Sequence, residues 1–346
     1  MAVIRVPADY RTIQEAVNAA RPGDTVRVAG GVYAEAVTIR EGRDGLAVIG
    51  SGPDNVILQG EGEEAGFAIT GSARVTLAGF TVIGFLNGIQ VATSDNVIRD
   101  MVAADCIDEG FDVLPDASRN LFIRVLSRGN GGEGIEINGA ANWVIGSEFE
   151  SNGDDGIDIN GEGNLASENR ASGHFMGENP AGITIEGNRN LAVNNRLVGN
   201  RWGLSTDAAG LLVFGNVMSR NSELGALFQD AADSLVLANE FSCHGEEGIH
   251  FNGATRIRVI LNKAEENGTE GFELSSNTTA LVVDDNEVKG NGLGGIRLTL
   301  TARDDVVRRN ELEENNPDLL NEAPADAGNV LDENDCETSQ PPGFCC

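Results

Sequence analysis

The chain is predicted to be an all-β parallel solenoid. Three observations carry this: a glycine-led apolar triplet returning about every 22 residues, short alternating segments between the triplets, and asparagines held at one phase of the repeat.

The triplets follow Gly45, Gly66, Gly88, Gly110, Gly134, Gly156, Gly182, Gly203, Gly225, Gly248, Gly271 and Gly295. Apolar residues stand first and third after nearly every glycine, as in GIEI and GIDI. A strand alternates its faces with a period of two, so Ile135 and Ile137, or Ile157 and Ile159, point inward. The residue between them points outward. These units predict about twelve coils. Stacked coils lie about 4.8 Å apart, the strand spacing.

Between the triplets, NWVIGSEF, NLAVNNRL, SLVLANEF, RIRVILNKA and ALVVDDNEV alternate apolar and polar residues and read as further short strands. Asparagines recur at Asn169, Asn195, Asn216, Asn239, Asn262, Asn286 and Asn310. A second series runs through Asn130, Asn152, Asn200, Asn221, Asn267, Asn291 and Asn315. Asparagine tolerates left-handed turns, and its amide can bond a stacked copy of itself. Both series therefore predict ladders along the turns.

An open coil exposes unpaired edges, so both ends need covers. RTIQEAVNAA, residues 11–20, places Ile13, Ala16, Val17 and Ala20 at helical spacing. Thr12 opens a T-x-x-E capping box and PGD at 22–24 ends the helix. At the other end NNPDLLNEAPADAGNV breaks the repeat. The expected division is a solenoid with its N-terminal cap over 1–316, and a C-terminal cap with a cysteine-bearing tail over 317–346.

The chain has 346 residues and a formal charge of −30, with Lys263 and Lys289 its only lysines. Such a charge argues against nucleic acid and anionic membrane as partners. No apolar run is long enough to span a membrane. MAVIRVPADY lacks a basic start followed by an apolar stretch, so either the protein is cytosolic or a leader has been cut away. A loop closed between Cys336 and either Cys345 or Cys346 would imply export, and free tail thiols are the alternative. Cys106 and Cys243 read as core or turn thiols. The expectation is a secreted, periplasmic or cell-surface protein.

The opening IRVPADYRTIQEAVNAARPGDTVRVAGGVYAEAVTI resembles that of many right-handed parallel β-helix proteins. It is similar to segments of pectin methylesterases, pectate-lyase-like proteins and bacterial secreted β-helix repeat proteins. The later G-I-x-I and asparagine-phased units resemble the generic repeat of that superfamily, across nearly the whole chain. The resemblance implies a right-handed parallel β-helix. Such folds host lyases, hydrolases, esterases, epimerases and phage tailspikes, so function must come from the site.

The outward residues of three consecutive triplets are Asp112, Glu136 and Asp158. The residues preceding the same glycines are Glu109, Glu133 and Asp155, with Asp108 and Asp154 one position further back. Stacked like charges raise one another's pKa unless a cation or proton sits among them. Glu109, Asp112, Glu133, Glu136, Asp154, Asp155 and Asp158 thus read as ligands of a divalent cation, calcium by their oxygen chemistry. Asp112, Glu136, Asp155 and Asp158 read equally as acid and base carboxylates on a glycan groove. A solvated acidic face in a chain with 54 acidic residues is the third reading.

A second neighbourhood combines CHGEEGIHF and TEGFEL. It sets Glu247 and Glu270 before glycines, with His250 and Glu273 outward and His244 nearby. It reads as a metal or base site at His250, or as a surface histidine paired with acids.

The step from Gly156 to Gly182 is 26 residues, and its surplus, GHFMGENPA, must bulge outward. Phe175 and Met176 either wall the acidic groove, where a sugar ring could stack, or tuck under their own loop. Trp202 is expected next in that column, with Arg128 and Arg201 as arginines within a substrate's reach.

DDGIDI resembles one piece of the polygalacturonase pattern. That family's Gly-His-Gly is replaced here by Pro180, Ala181 and Gly182, with His174 displaced into the loop. Its Arg-x-Lys segment has no counterpart. A calcium-dependent lyase has ligands in abundance but only Arg128, Arg170 or Arg201 as a base. Two classes of function are expected. One is a polysaccharide lyase or glycoside hydrolase acting with calcium on an extended polysaccharide, as a monomer. The other is a non-catalytic, calcium-stabilised secreted β-helix that binds a glycan or a surface partner. A trimeric phage or surface-layer spike is a third.

Overall fold

The computed structural model describes residues 1–62, 64–177 and 179–345, and all strand pairs described are parallel. The chain divides into two compact units, Met1–Glu178 and Asn179–Cys346.

In the first unit Val37–Ile39 is followed in its sheet by the glycine-led strands Phe67–Ile69, Ile89–Val91, Phe111–Val113, Ile135–Ile137 and Ile157–Ile159, paired in that order. Gln90, Asp112, Glu136 and Asp158 are register partners in turn, as the triplet alignment predicts. Two more sheets complete each turn, for example Leu121–Ile123 and Leu126–Arg128. The same sheet in the second unit runs from Ala181–Ile185 to Ser339–Gln340 and bears Thr184, Ser205, Leu227, His250, Glu273 and Arg297 in one outward column.

One triplet belongs elsewhere. The strand after Gly45, Ala47–Gly50, lies in a different sheet, between Thr25–Val28 and Thr76–Ala78. The true predecessor of Phe67 is Val37. The first turns are longer than the later ones, so a constant period lands on the wrong face. The longest sheet has eight strands in the first unit and seven in the second among the described residues, giving about fifteen turns rather than about twelve. The additional turns lie at the chain ends, where the glycine signature fades.

The inward residues form an almost wholly apolar core. Phe67 meets Phe80 edge-on at 5.0 Å, and Phe228 stacks on Phe251 at 5.1 Å. Burying one such ring is worth about 1.5–3 kcal/mol. Helix Ile13–Ala19 covers the first coil with Ile13, Ala16 and Val17 buried, and Thr12 and Glu15 form the predicted capping box. Strand pairing continues past residue 316, through Leu319–Asn321, Val330–Asp332, Asp335–Cys336 and Ser339–Gln340. Cys336 is bonded to Cys345. Cys346 lies outside the described residues.

The asparagine ladders are present. From Asn195 to Asn334 in the second unit, each Oδ1 accepts the backbone N–H and the side-chain amide of the rung before it, at 2.8–3.1 Å. Left-handed backbone, however, falls mostly on the residue preceding the rung, such as Ala238, Leu261 and Asp285. The rung itself supplies hydrogen bonds, not the turn's unusual dihedral. A ladder the series did not include runs through Asn96, Asn120, Asn142 and Asn164.

Candidate functional site

In the first unit, the turns that enter the glycine-led strands stack directly on one another. Gly131 N–H donates to the Cys106 carbonyl at 3.0 Å, and Gly153 N–H to that of Asn130 at 2.8 Å. The backbones approach so closely that a Cβ at Gly153 would strike the Gly131 carbonyl. This explains the NGG and NGD turns. It also places Asp108, Glu109, Glu133 and Asp154 at successive levels along one edge.

These residues, with Glu136, line an open groove of about 960 Å³ that Phe175 and Met176 also line. Phe175 is 52% exposed and Met176 84%, so the loop after Asp158 forms the expected apolar wall rather than tucking them away. Glu178 of that loop lies outside the described residues.

Burial chiefly, then the charges of Asp108, Asp112 and Glu133, push the Glu109 carboxyl up to about 7. Glu133 is raised by burial and by Asp154, Glu136 and Asp108. At both positions the stacked neighbours add to an effect that burial dominates. No lysine or arginine is among the described lining residues.

The other nominated residues are placed differently. Asp112 is buried, because Asn87 and Gln90 of the preceding coil cover it and donate to its Oδ2 at 3.1 and 2.9 Å. Asp155 is buried too. Asp158 is half-buried and accepts from Asn160 at 2.9 Å. None of these three lines the groove. Arg128 is exposed on another sheet of the first unit and is not a lining residue either. Arg201 and Trp202 belong to the second unit. There Arg201 Nε and the indole N–H both bond Glu223 at 2.9 Å, with the guanidinium 5.5 Å from the indole centroid. Asn87 and Gln90 were missed as partners of Asp112. Asn87 precedes Gly88 at the phase of Glu109, and that phase was the available signal.

The second unit gathers Glu247, Glu270 and Glu273, with ligand oxygens within 4.8 Å of one another. Arg297 bonds Glu270 at 3.3 Å, Glu273 at 3.5 Å and Glu322 at 3.1 Å. Burial pushes Glu273 up to about 7 against the pull of Arg297. His250 Nε2 lies 2.8 Å from Ser275 Oγ and 3.9 Å from Glu273. His244 is not part of this patch. It is a buried ladder rung, with Nδ1 accepting from Asn221 N–H at 3.2 Å and its own N–H donating to Asn267 at 3.2 Å.

A family model described as periplasmic copper-binding protein (NosD) matches residues 118–284. No curated protein matches the chain. Among solved structures, the Dettilon tailspike protein is similar, with a TM-score of 0.68 at 15% identity over 87% of this chain and 70% of that one. The catalytic domain of a GH87 alpha-1,3-glucanase in complex with nigerose gives 0.63 at 13% identity over 96% and 69%. An alginate lyase from Paenibacillus sp. str. FPU-7 gives 0.50 at 15% identity over 70% and 95%.

Copper favours imidazole and sulfur donors, and among the described residues no cluster of three ligand groups contains a histidine or cysteine, although His250 lies 3.9 Å from Glu273. Two of the three histidines, His174 and His244, are buried, and Cys106 is buried as well. Among the described residues, the one cluster of three ligand groups is all carboxylate, and such hard oxygen donors favour calcium or magnesium. At the identities found, the similarity establishes architecture alone: the chain is a parallel β-helix, as its three parallel sheets show.

Proposed function

We propose that this is a carbohydrate-active β-helix protein that binds and hydrolyses an extended polysaccharide in the first-unit groove. The observation that carries the reading is one open trough combining stacked carboxyls with the exposed Phe175 and Met176. Sugar rings present apolar faces to such walls and hydroxyls to carboxylates. Glu109, held near 7, is the proton donor to the glycosidic oxygen. Glu136, one coil on, is the carboxylate that takes the proton of the attacking water. Asp112, Asp155 and Asp158 act from behind, through charge and support of the coil.

Hydrolysis is favoured over lyase chemistry by the base inventory. Both lysines lie in the second unit, paired with Glu265 and Glu287 or with Glu313 and Glu314. The glucanase and alginate lyase likenesses support a polysaccharide as partner, and the Cys336–Cys345 bond supports an exported location. Of the metals, calcium fits the oxygen donors.

The test is a panel of pectate, alginate and neutral glucans, read for reducing and for unsaturated ends. New reducing ends that vanish in Glu109→Gln support hydrolysis. Unsaturated ends would move the reading to a lyase. Calcium-dependent stabilisation with no product from any polymer would favour the non-catalytic alternative.

A further inference from the structure

The two acidic clusters are compensated differently. In the second unit Glu247, Glu270 and Glu273 crowd within 4.8 Å, and the chain supplies its own cation: Arg297 reaches Glu270 and Glu273. In the first-unit groove, Asp108, Glu109, Glu133 and Glu136 stand together with no basic side chain among the described lining residues. Behind them the acceptors are also unfilled. Asp112 and Asn87 are 5% and 8% exposed, and Asp112 Oδ1 and Asn87 Oδ1 have no hydrogen-bond partner among the described residues. The positive charge that Arg297 provides to one cluster has no counterpart among the described residues lining the groove.

Resting on the reading of the groove as a polysaccharide site, we infer that its ligand carries the missing charge: a polymer of amino sugars bearing free ammonium groups. The groove's shape supports this. It is an open trough, about 960 Å³, lined by both the carboxyls and the apolar side chains of Phe175 and Met176. An amino-sugar ring offers an apolar face to those side chains and an ammonium to the acids. Successive carboxyls, one coil apart at about 4.8 Å, match a repeating charge, as in a chain of linked rings. A polyuronate meets the opposite situation, because its carboxylates approach Asp108, Glu109, Glu133 and Glu136 with nothing between them. A divalent cation could supply the same charge, and the experiment separates the two sources.

Purified full-length protein is titrated calorimetrically at mildly acidic pH with four oligosaccharides of equal length. These are β-1,4-linked glucosamine, its fully N-acetylated form, a neutral β-glucan, and oligogalacturonate with and without millimolar calcium. The glucosamine oligomer should bind at least about tenfold more tightly than the N-acetylated form, and the advantage should shrink with added salt. Asp108→Asn and Glu133→Gln should each reduce it several-fold. Asp108 is exposed, so its variant folds even if Glu133→Gln does not. Glu247→Gln, in the other unit, should leave it intact. Equal or tighter binding of the neutral oligomers, or preference for galacturonate plus calcium, overturns the inference while the polysaccharide reading stands. Binding of no oligosaccharide at all overturns both.

Discussion

Replacing His244 with asparagine should remove most of one acid-sensitive contribution to stability. His244 sits at a ladder position otherwise held by asparagine, 3% exposed. Its Nδ1 accepts the Asn221 N–H, so the ring's hydrogen is on Nε2, which has no partner among the described residues. Charging the ring places a second hydrogen on Nδ1, facing that N–H. Burial therefore holds the group down to about 4, against an ordinary value of 6.5.

The unfolded chain takes up the proton first. Stability from the neutral ring is complete above the unfolded value and is lost as pH falls toward the folded one. A tenfold change in proton affinity is worth about 1.4 kcal/mol, so the whole difference is about 3 kcal/mol, of which about 2.5 kcal/mol is lost by about pH 4.5. Urea unfolding of His244→Asn and the parent at about pH 7.5 and about pH 4.5 reads this directly, since His174 contributes equally to both. The parent should lose about 2 kcal/mol more than the variant over that interval. An identical loss in both proteins would refute the account of the buried rung.

Other outcomes follow from the same structure. Asn262→Ala strips an acceptor from Asn239 N–H and its amide, and a donor from the Val236 carbonyl. It should cost about 3 kcal/mol in urea unfolding, far more than any change at the exposed Arg128. Gly153→Ala forces a Cβ into the Gly131 carbonyl, so it should lower the melting temperature by several degrees and weaken glycan binding in the adjoining groove. If Glu109 is the proton donor, kcat/KM should fall as pH rises through about 7, because the acid form is lost there. A rate that stays flat from about pH 6 to about pH 9 would remove Glu109 from that role.

Much of the site was legible because a solenoid turns a linear period into a spatial column. Aligning the glycines placed Asp112, Glu136 and Asp158 in one register, and Gly110, Gly134 and Gly156 brought Glu109 and Glu133 to adjoining levels. The surplus at residues 173–181 correctly announced a loop beside those acids. The alignment failed at Gly45, where the length of the first turns differs and no local signal says which sheet a strand joins.

The sequence by itself determined the parallel solenoid, its apolar interior, its amide ladders and the acid columns. Each depends on a short pattern repeated at a constant interval, and stacking copies of that pattern is its own long-range information. Only the tertiary structure decided which acids meet solvent and which are compensated. Asp112 lies buried because Asn87 and Gln90, from the coil before, reach over it. Arg297 neutralises Glu270 and Glu273 from the coil beyond, while no basic side chain is among the described residues lining the groove of Glu109 and Glu133. Those differences rest on side-chain reach between neighbouring turns, which a period in the sequence does not encode.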